Sequence, residues 1–200
     1  IELSAKKHQR ALQLRSEFYM ADNDVIDAIN DASLIIGNDS RNEDNYKFRA
    51  GLYEKNGQKL KAIDDYNKAI LYNTKDSSIY LKKAKLEYDT LKYKDAQTTA
   101  ATGIDRTNCY GQLYFIRGLA NDKLKDFPEA GIDFAKAIYC GVGSTEKQFI
   151  KKLSENYVTE GKNAYLSGKY IDAQTEFSKS INIDSNQNAL YWRACASVQL

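Results

Sequence analysis

A single proline, a single methionine, a single tryptophan and a single histidine stand among the 200 residues of this chain. One proline and 11 glycines exclude collagen-like and proline-rich segments. No apolar run approaches the roughly 18 residues that a membrane-crossing helix needs, so no direct membrane insertion is expected. The lone histidine, His8, confines any Ser-His-Asp or Cys-His arrangement to the chain's first turns. Cys109, Cys140 and Cys195 make no Cys-x-x-Cys motif and no His-Cys cluster, so no metal site is expected. Their odd, scattered placement reads as reduced thiols in an intracellular protein. Gly141-Val142-Gly143-Ser144 is too short for a phosphate loop, and no Gly-Lys-Ser/Thr follows it. Acidic neighbours such as Asp64-Asp65 point different ways on a helix. The sequence thus predicts no enzyme, no cofactor and no small-molecule substrate. Lys and Arg total 29 against 27 Asp and Glu, a net charge of +2, which gives no reason to expect a nucleic-acid partner. The first residue is Ile1 and no signal pattern opens the chain, so it reads as a piece of a longer or processed protein, with a cytoplasmic location expected. Asn38-Asp39-Ser40 is a lone sequon that matters only in a secretory compartment.

What the sequence does have is a repeat. Ala28, Ala62, Ala96 and Ala130 are 34 residues apart, and Tyr46, Tyr80 and Tyr114 share that period. So do Arg15, Arg49, Lys83 and Arg117, and again Ile35, Ala69, Gly103 and Ala137. A further unit, with Tyr157, Gly161, Gly168, Tyr170, Ala173 and Phe177 in the corresponding places, follows an insertion of nine residues. The units are 9–42, 43–76, 77–110, 111–144 and 154–187 within one array, and residues 188–200 begin a sixth whose partner helix is missing. Tyr191, Ala194, Cys195 and Val198 are thereby left without cover, so the chain is expected to continue past Leu200. Within a unit the apolar spacing predicts two helices, such as Asp44–Asn56 and Lys59–Tyr72, with Gly57 in a left-handed turn between them and residues 73–76 closing the hairpin. In the insertion, Ser144-Thr145 is expected to cap a helix over Glu146–Ser167, with Thr145 and Gln148 at capping-box spacing and residues 145–153 extending it by about two turns. Each Arg of the basic column has an Asp 16 residues on: Asp31, Asp65 and Asp133. That spacing spans the hairpin and predicts bidentate Arg–Asp ties. Lys83 faces Thr99 in this register, and Glu160 faces Glu176.

The pattern resembles the tetratricopeptide repeat (TPR) family, with Tyr114, Gly118, Ala130, Phe134 and Ala137 matching its aromatic and small positions. The proline usual at the end of its second helix is absent throughout. The resemblance implies an all-α, right-handed superhelix whose first helices line a concave groove. Phe48, Leu81, Lys82, Lys85, Tyr88, Phe115, Ile116, Leu119, Lys162, Tyr165, Trp192 and Arg193 would face it, an apolar surface with a basic rim. Such a groove suits an extended or helical peptide with hydrophobic anchors. The order of a Tyr114-x-x-Arg117-Gly118 helix, a long basic helix and Leu190-Tyr191-Trp192-Arg193-Ala194 resembles the TPR region of J-domain co-chaperones. That likeness implies a chaperone or a client as partner. The carboxylate clamp of some co-chaperones is not assembled: Lys47 and Gly51, Lys82, Gln112 and Ile116, Val158 and Lys162, and Arg193 occupy the relevant places. The chain reads as a scaffold or adaptor for proteins, with a fixed subunit of a large assembly, or a holdase for unfolded clients, as alternatives.

Overall fold

The computed structural model describes residues 2–72, 76–107 and 109–200, with side chains from residue 8 onward. Eleven helices and no strand occur among them. In order they are α1 (Glu2–Ala21), α2 (Val25–Asn38), α3 (Glu43–Lys55), α4 (Lys59–Tyr72), α5 (Ser77–Asp89), α6 (Tyr93–Ile104), α7 (Gly111–Lys123), α8 (Phe127–Tyr139), α9 (Ser144–Leu166), α10 (Tyr170–Ile183) and α11 (Gln187–Val198). They group into two compact units, Ile1–Lys92 and Tyr93–Leu200. In the first unit α1 packs on α2, α2 on α3, α3 on α4 and α4 on α5; in the second α6 packs on α7, α7 on α8, α8 on α10, and α10 on α9 and α11.

Helix starts follow local chemistry. Asn42, Asp76 and Asn186 accept backbone N–H groups two residues on, each at 3.0 Å, which satisfies donors that a helix leaves orphaned. The one proline, Pro128, lies in the first turn of α8, where its missing N–H costs nothing. α9 starts at Ser144 with Gly143 as its cap and no side-chain hydrogen bond there, so the expected Ser144-Thr145 cap does not form. At 23 residues it is nonetheless far longer than the 13 residues of α7 and α8. The expected loop at 73–76 lies outside the described residues except for Asp76.

The repeat columns explain the packing. Ala28, Ala62, Ala130 and Ala173 have no exposed surface. A Cβ on Gly118 would lie 2.8 Å from the Phe134 ring, and one on Gly161 would lie 2.6 Å from that of Phe177. Those two rings, themselves fully buried, occupy the space that the glycines leave. Across α8 and α10 the backbones come closer still: a Cβ on Gly131 would be 1.8 Å from the carbonyl oxygen of Asn182.

The Arg–Asp ties form as predicted. Arg15 Nε and Nη2 donate to Asp31 at 2.7 and 2.5 Å, Arg49 to Asp65 at 2.7 and 2.8 Å, and Arg117 to Asp133 at 2.9 and 2.6 Å. The acceptors are buried, and Asp133 also takes a hydrogen bond from Asn121 at 3.0 Å. Lys83 pairs instead with Glu87, one turn on, at 2.7 Å.

The expectation of reduced thiols is overturned at two of the three cysteines. Cys109 and Cys140 form a disulfide, with Cα atoms 5.2 Å apart. They are 31 residues apart in sequence, but the α7–α8 hairpin returns the chain to its starting level, so its two ends meet. Cys195 is a free thiol.

The turn between the helices uses one backbone state whatever the residue: Asn23, Gly57, Leu91, Lys125 and Gly168 all have φ between 62° and 75°. The Gly57 expectation is met. At Leu91 and Lys125 the left-handed state costs about 1–2 kcal/mol because of the Cβ.

Three outcomes follow from this packing. Arg117→Ala should lower unfolding free energy by about 3 kcal/mol in urea titrations, because Asp133 stays buried without its charge partner; Arg15→Ala should cost less, since the Arg15 side chain is 53% exposed. Reduction with dithiothreitol should shift the unfolding midpoint down, by about 3–4 kcal/mol on the loop-entropy account, and a Cys109→Ser/Cys140→Ser variant should match the reduced protein. Leu91→Gly should raise the melting temperature, with a gain of up to about 1 kcal/mol after the added entropy of the unfolded chain is subtracted.

Candidate functional site

The residues expected to face a groove fall in both units. In the first, Phe48 on α3 is half-buried against a cluster that includes Ala28, Ile29 and Leu52. On α5, Leu81 and Tyr88 are half-buried, and Lys82 and Lys85 are exposed. Lys47, at the start of α3, is held by Asp44 at 2.5 Å and Asp76 at 3.2 Å. The Ser78 hydroxyl, followed by Lys47, keeps the Asp76 carboxyl below its usual range.

In the second unit the residues separate into two groups. Ile116 and Leu119 are 7% and 8% exposed and belong to the interior, so they offer a partner almost no surface. They point inward because they share the α7 face that meets its neighbouring helices. Phe115 is half-buried, its ring 6.1 Å from Phe134 and 5.8 Å from Phe149. Phe149, in the lengthened part of α9, is 45% exposed and adds an aromatic that the repeat pattern does not point to, because it lies in the insertion. Further on, Tyr165 of α9 and Trp192 of α11 meet edge to face at 5.4 Å, and Trp192 stacks on Phe177 at 6.5 Å. Lys162 Nζ lies 5.3 Å from the centre of the Trp192 ring, a cation–π contact. Trp192 and Arg193 are both half-buried, and Tyr191 beside them is 64% exposed. The structure thus brings together Lys162, Tyr165 and Trp192 from the expected set, all three half-buried.

A charged network that sequence reading did not assemble ties α7 and α8 to α9 and α10. Tyr157 donates to Asp122 at 2.6 Å, and burial first, then that bond, pushes the phenol well above its ordinary range. Lys179 Nζ lies 4.8 Å from the Phe127 ring centre, 5.2 Å from that of Tyr157, and 2.6 Å from Glu176 Oε1. The only legible hint was that Glu176 stands where other units carry Asp. No group of three or more His, Cys, Asp or Glu able to hold a metal occurs among the described residues. No helix among them is long and apolar enough to cross a membrane.

No protein-family model matches the sequence, and no curated protein matches it either. Solved structures do. The MamA protein superposes with a TM-score of 0.65 at 17% identity, over 90% of this chain and 93% of that one. A tetratricopeptide repeat protein from Parabacteroides merdae gives 0.63 at 17% identity, over 96% and 73%. YrrB, described as a TPR protein with an unusual peptide-binding site, gives 0.58 at 14% identity, over 90% and 89%. With the 34-residue period and the interlocked small and aromatic columns, these likenesses show that the chain has the tetratricopeptide-repeat fold.

Proposed function

We propose that this chain is a scaffold that holds a segment of another protein against the first helices of its hairpins, with Tyr165, Trp192, Lys162 and Arg193 as the principal contact in the second unit. The observation that carries this reading is the half-buried Tyr165–Trp192 pair with a lysine over the indole ring. Aromatic side chains supply large contact area at low entropy cost and are over-represented among binding hot spots. Phe115 with Phe149 forms a second apolar patch, and Lys82 and Lys85 on α5 are exposed cations in the first unit. The basic residues around the aromatics suit a partner with acidic flanks. YrrB, a protein of like fold described as having an unusual peptide-binding site, supports this reading.

The lengthened α9 supports the narrower reading of a co-chaperone that presents chains to a chaperone. The Cys109–Cys140 bond supports an oxidising compartment in place of the cytoplasm, since stable disulfides are rare in reducing cells.

A random-peptide display selection on the oxidised protein, followed by fluorescence titration of the enriched peptide, tests the scaffold reading. Trp192→Ala and Tyr165→Ala should each weaken binding about tenfold or more, equivalent to about 1.4 kcal/mol, with helicity retained by circular dichroism. Lys162→Ala should have a smaller effect, and raised salt should weaken binding only modestly because apolar burial dominates. Unchanged affinity in both aromatic variants would overturn this site. Suppression of aggregation without any peptide preference would replace the scaffold with a holdase.

A further inference from the structure

The outer face of α8 carries an unbroken apolar line. Pro128, Ile132, Ala135 and Tyr139 recur at helical spacing on one side of this helix, and all four are exposed. Ile132 is 47% exposed and Tyr139 88%, the highest value among the exposed large hydrophobic side chains of the described residues. The opposite side, with Ala130, Asp133, Phe134 and Ala137, is buried in the hairpin. Hairpin packing does not require the line. In the repeat register the place of Ile132 holds Asn30 in α2, Asp64 in α4, Thr98 in α6 and, past the insertion, Thr175 in α10. A polar side chain therefore breaks the line in each of those helices, and α8 departs from them.

Two charges flank the line, one towards each end and both on the α7 side. Lys136 Nζ lies 5.6 Å from the centre of the Tyr114 ring, and the Glu129 carboxylate acts on the charge of Arg117; Tyr114 and Arg117 both belong to α7. On the other side Gly131 brings in the backbone of α10. An acid and a base set at opposite ends of one flank are complementary to their own copy. When two copies of a helix lie antiparallel about a two-fold axis, like flanks come together and the ends exchange. Glu129 of each copy then meets Lys136 of the other. In nearly that register Pro128 lies opposite Tyr139, and Ile132 opposite Ala135. Large against small at the centre lets the two helices come close, as it does inside the hairpins.

We propose that the outer face of α8 is a self-association surface, through which two copies of this chain join as an antiparallel, two-fold pair. A different protein lying along the line would need neither the order of the two charges nor its symmetry; a second copy uses both. This inference rests on a second helix and does not depend on the Tyr165–Trp192 face proposed above.

The test is sedimentation equilibrium of the oxidised 200-residue chain across the micromolar to millimolar range. The wild type should pass from monomer to dimer and stop there. Tyr139→Ser should weaken the dimer about tenfold or more, since each substitution acts twice across a two-fold interface. Its helicity by circular dichroism should be unchanged, because the side chain it removes is 88% exposed. Glu129→Lys and Lys136→Glu should each weaken the dimer about fivefold by setting like charges against one another, and the double exchange should restore it. A wild type that stays monomeric, association that runs past the dimer, a dimer that Tyr139→Ser leaves intact, or a double exchange no tighter than the single variants would each overturn the proposal.

Discussion

How near two helices can come to each other is the constraint on which the rest of this structure depends. Ala28, Ala62, Ala130 and Ala173 are closed to solvent, and Gly118 and Gly161 admit the rings of Phe134 and Phe177 where any Cβ would collide. Small residues facing aromatics at fixed spacing allow backbones to approach while leaving no void, and interior packing tolerates few voids. Gly131 against the Asn182 carbonyl extends the same rule from one hairpin to the next. Once the helices are this close, Arg and Asp placed 16 residues apart fall within hydrogen-bond reach of one another.

Because the small and aromatic columns set the fold, the charged column is free to vary, and it does. Arg gives way to Lys83, which turns to Glu87 on its own helix, and then to Glu160, which has no basic counterpart at Glu176. The α9–α10 hairpin is held by other means: burial of Phe177, a buried hydrogen bond between Ser154 and Ser180, and Lys179 set between two rings. Redundancy of this kind lets one repeat lose a structural tie without losing its hairpin.

The architecture was legible because its signals are periodic. The 34-residue columns, the Arg–Asp spacing and the turn at Gly57 all appear in the structure where the residues placed them. Less of the candidate site could be read. Ile116 and Leu119 carry the right residue types but point inward, since register alone does not say which face a neighbouring helix will cover. Phe149 lies in the insertion, where no column guides the eye. The disulfide joins residues that no Cys spacing rule links; it becomes visible only once the hairpin has closed. The missing cap at Ser144 has a different cause: the helix begins at Ser144 itself, so Gly143, with no side chain to accept a hydrogen bond, holds the cap position.

That same disulfide alters what the molecule can do under load. A stack of hairpins pulled from both sides can lengthen by peeling open one helix pair after another, each releasing its residues into extended chain. The α7–α8 pair cannot do so while Cys109 and Cys140 are joined, because the pulling line runs across the sulfurs and bypasses the loop. The 31-residue separation hides roughly 100 Å of contour from any tether that acts on the chain. Its redox state therefore sets how far this segment can stretch between two points of attachment.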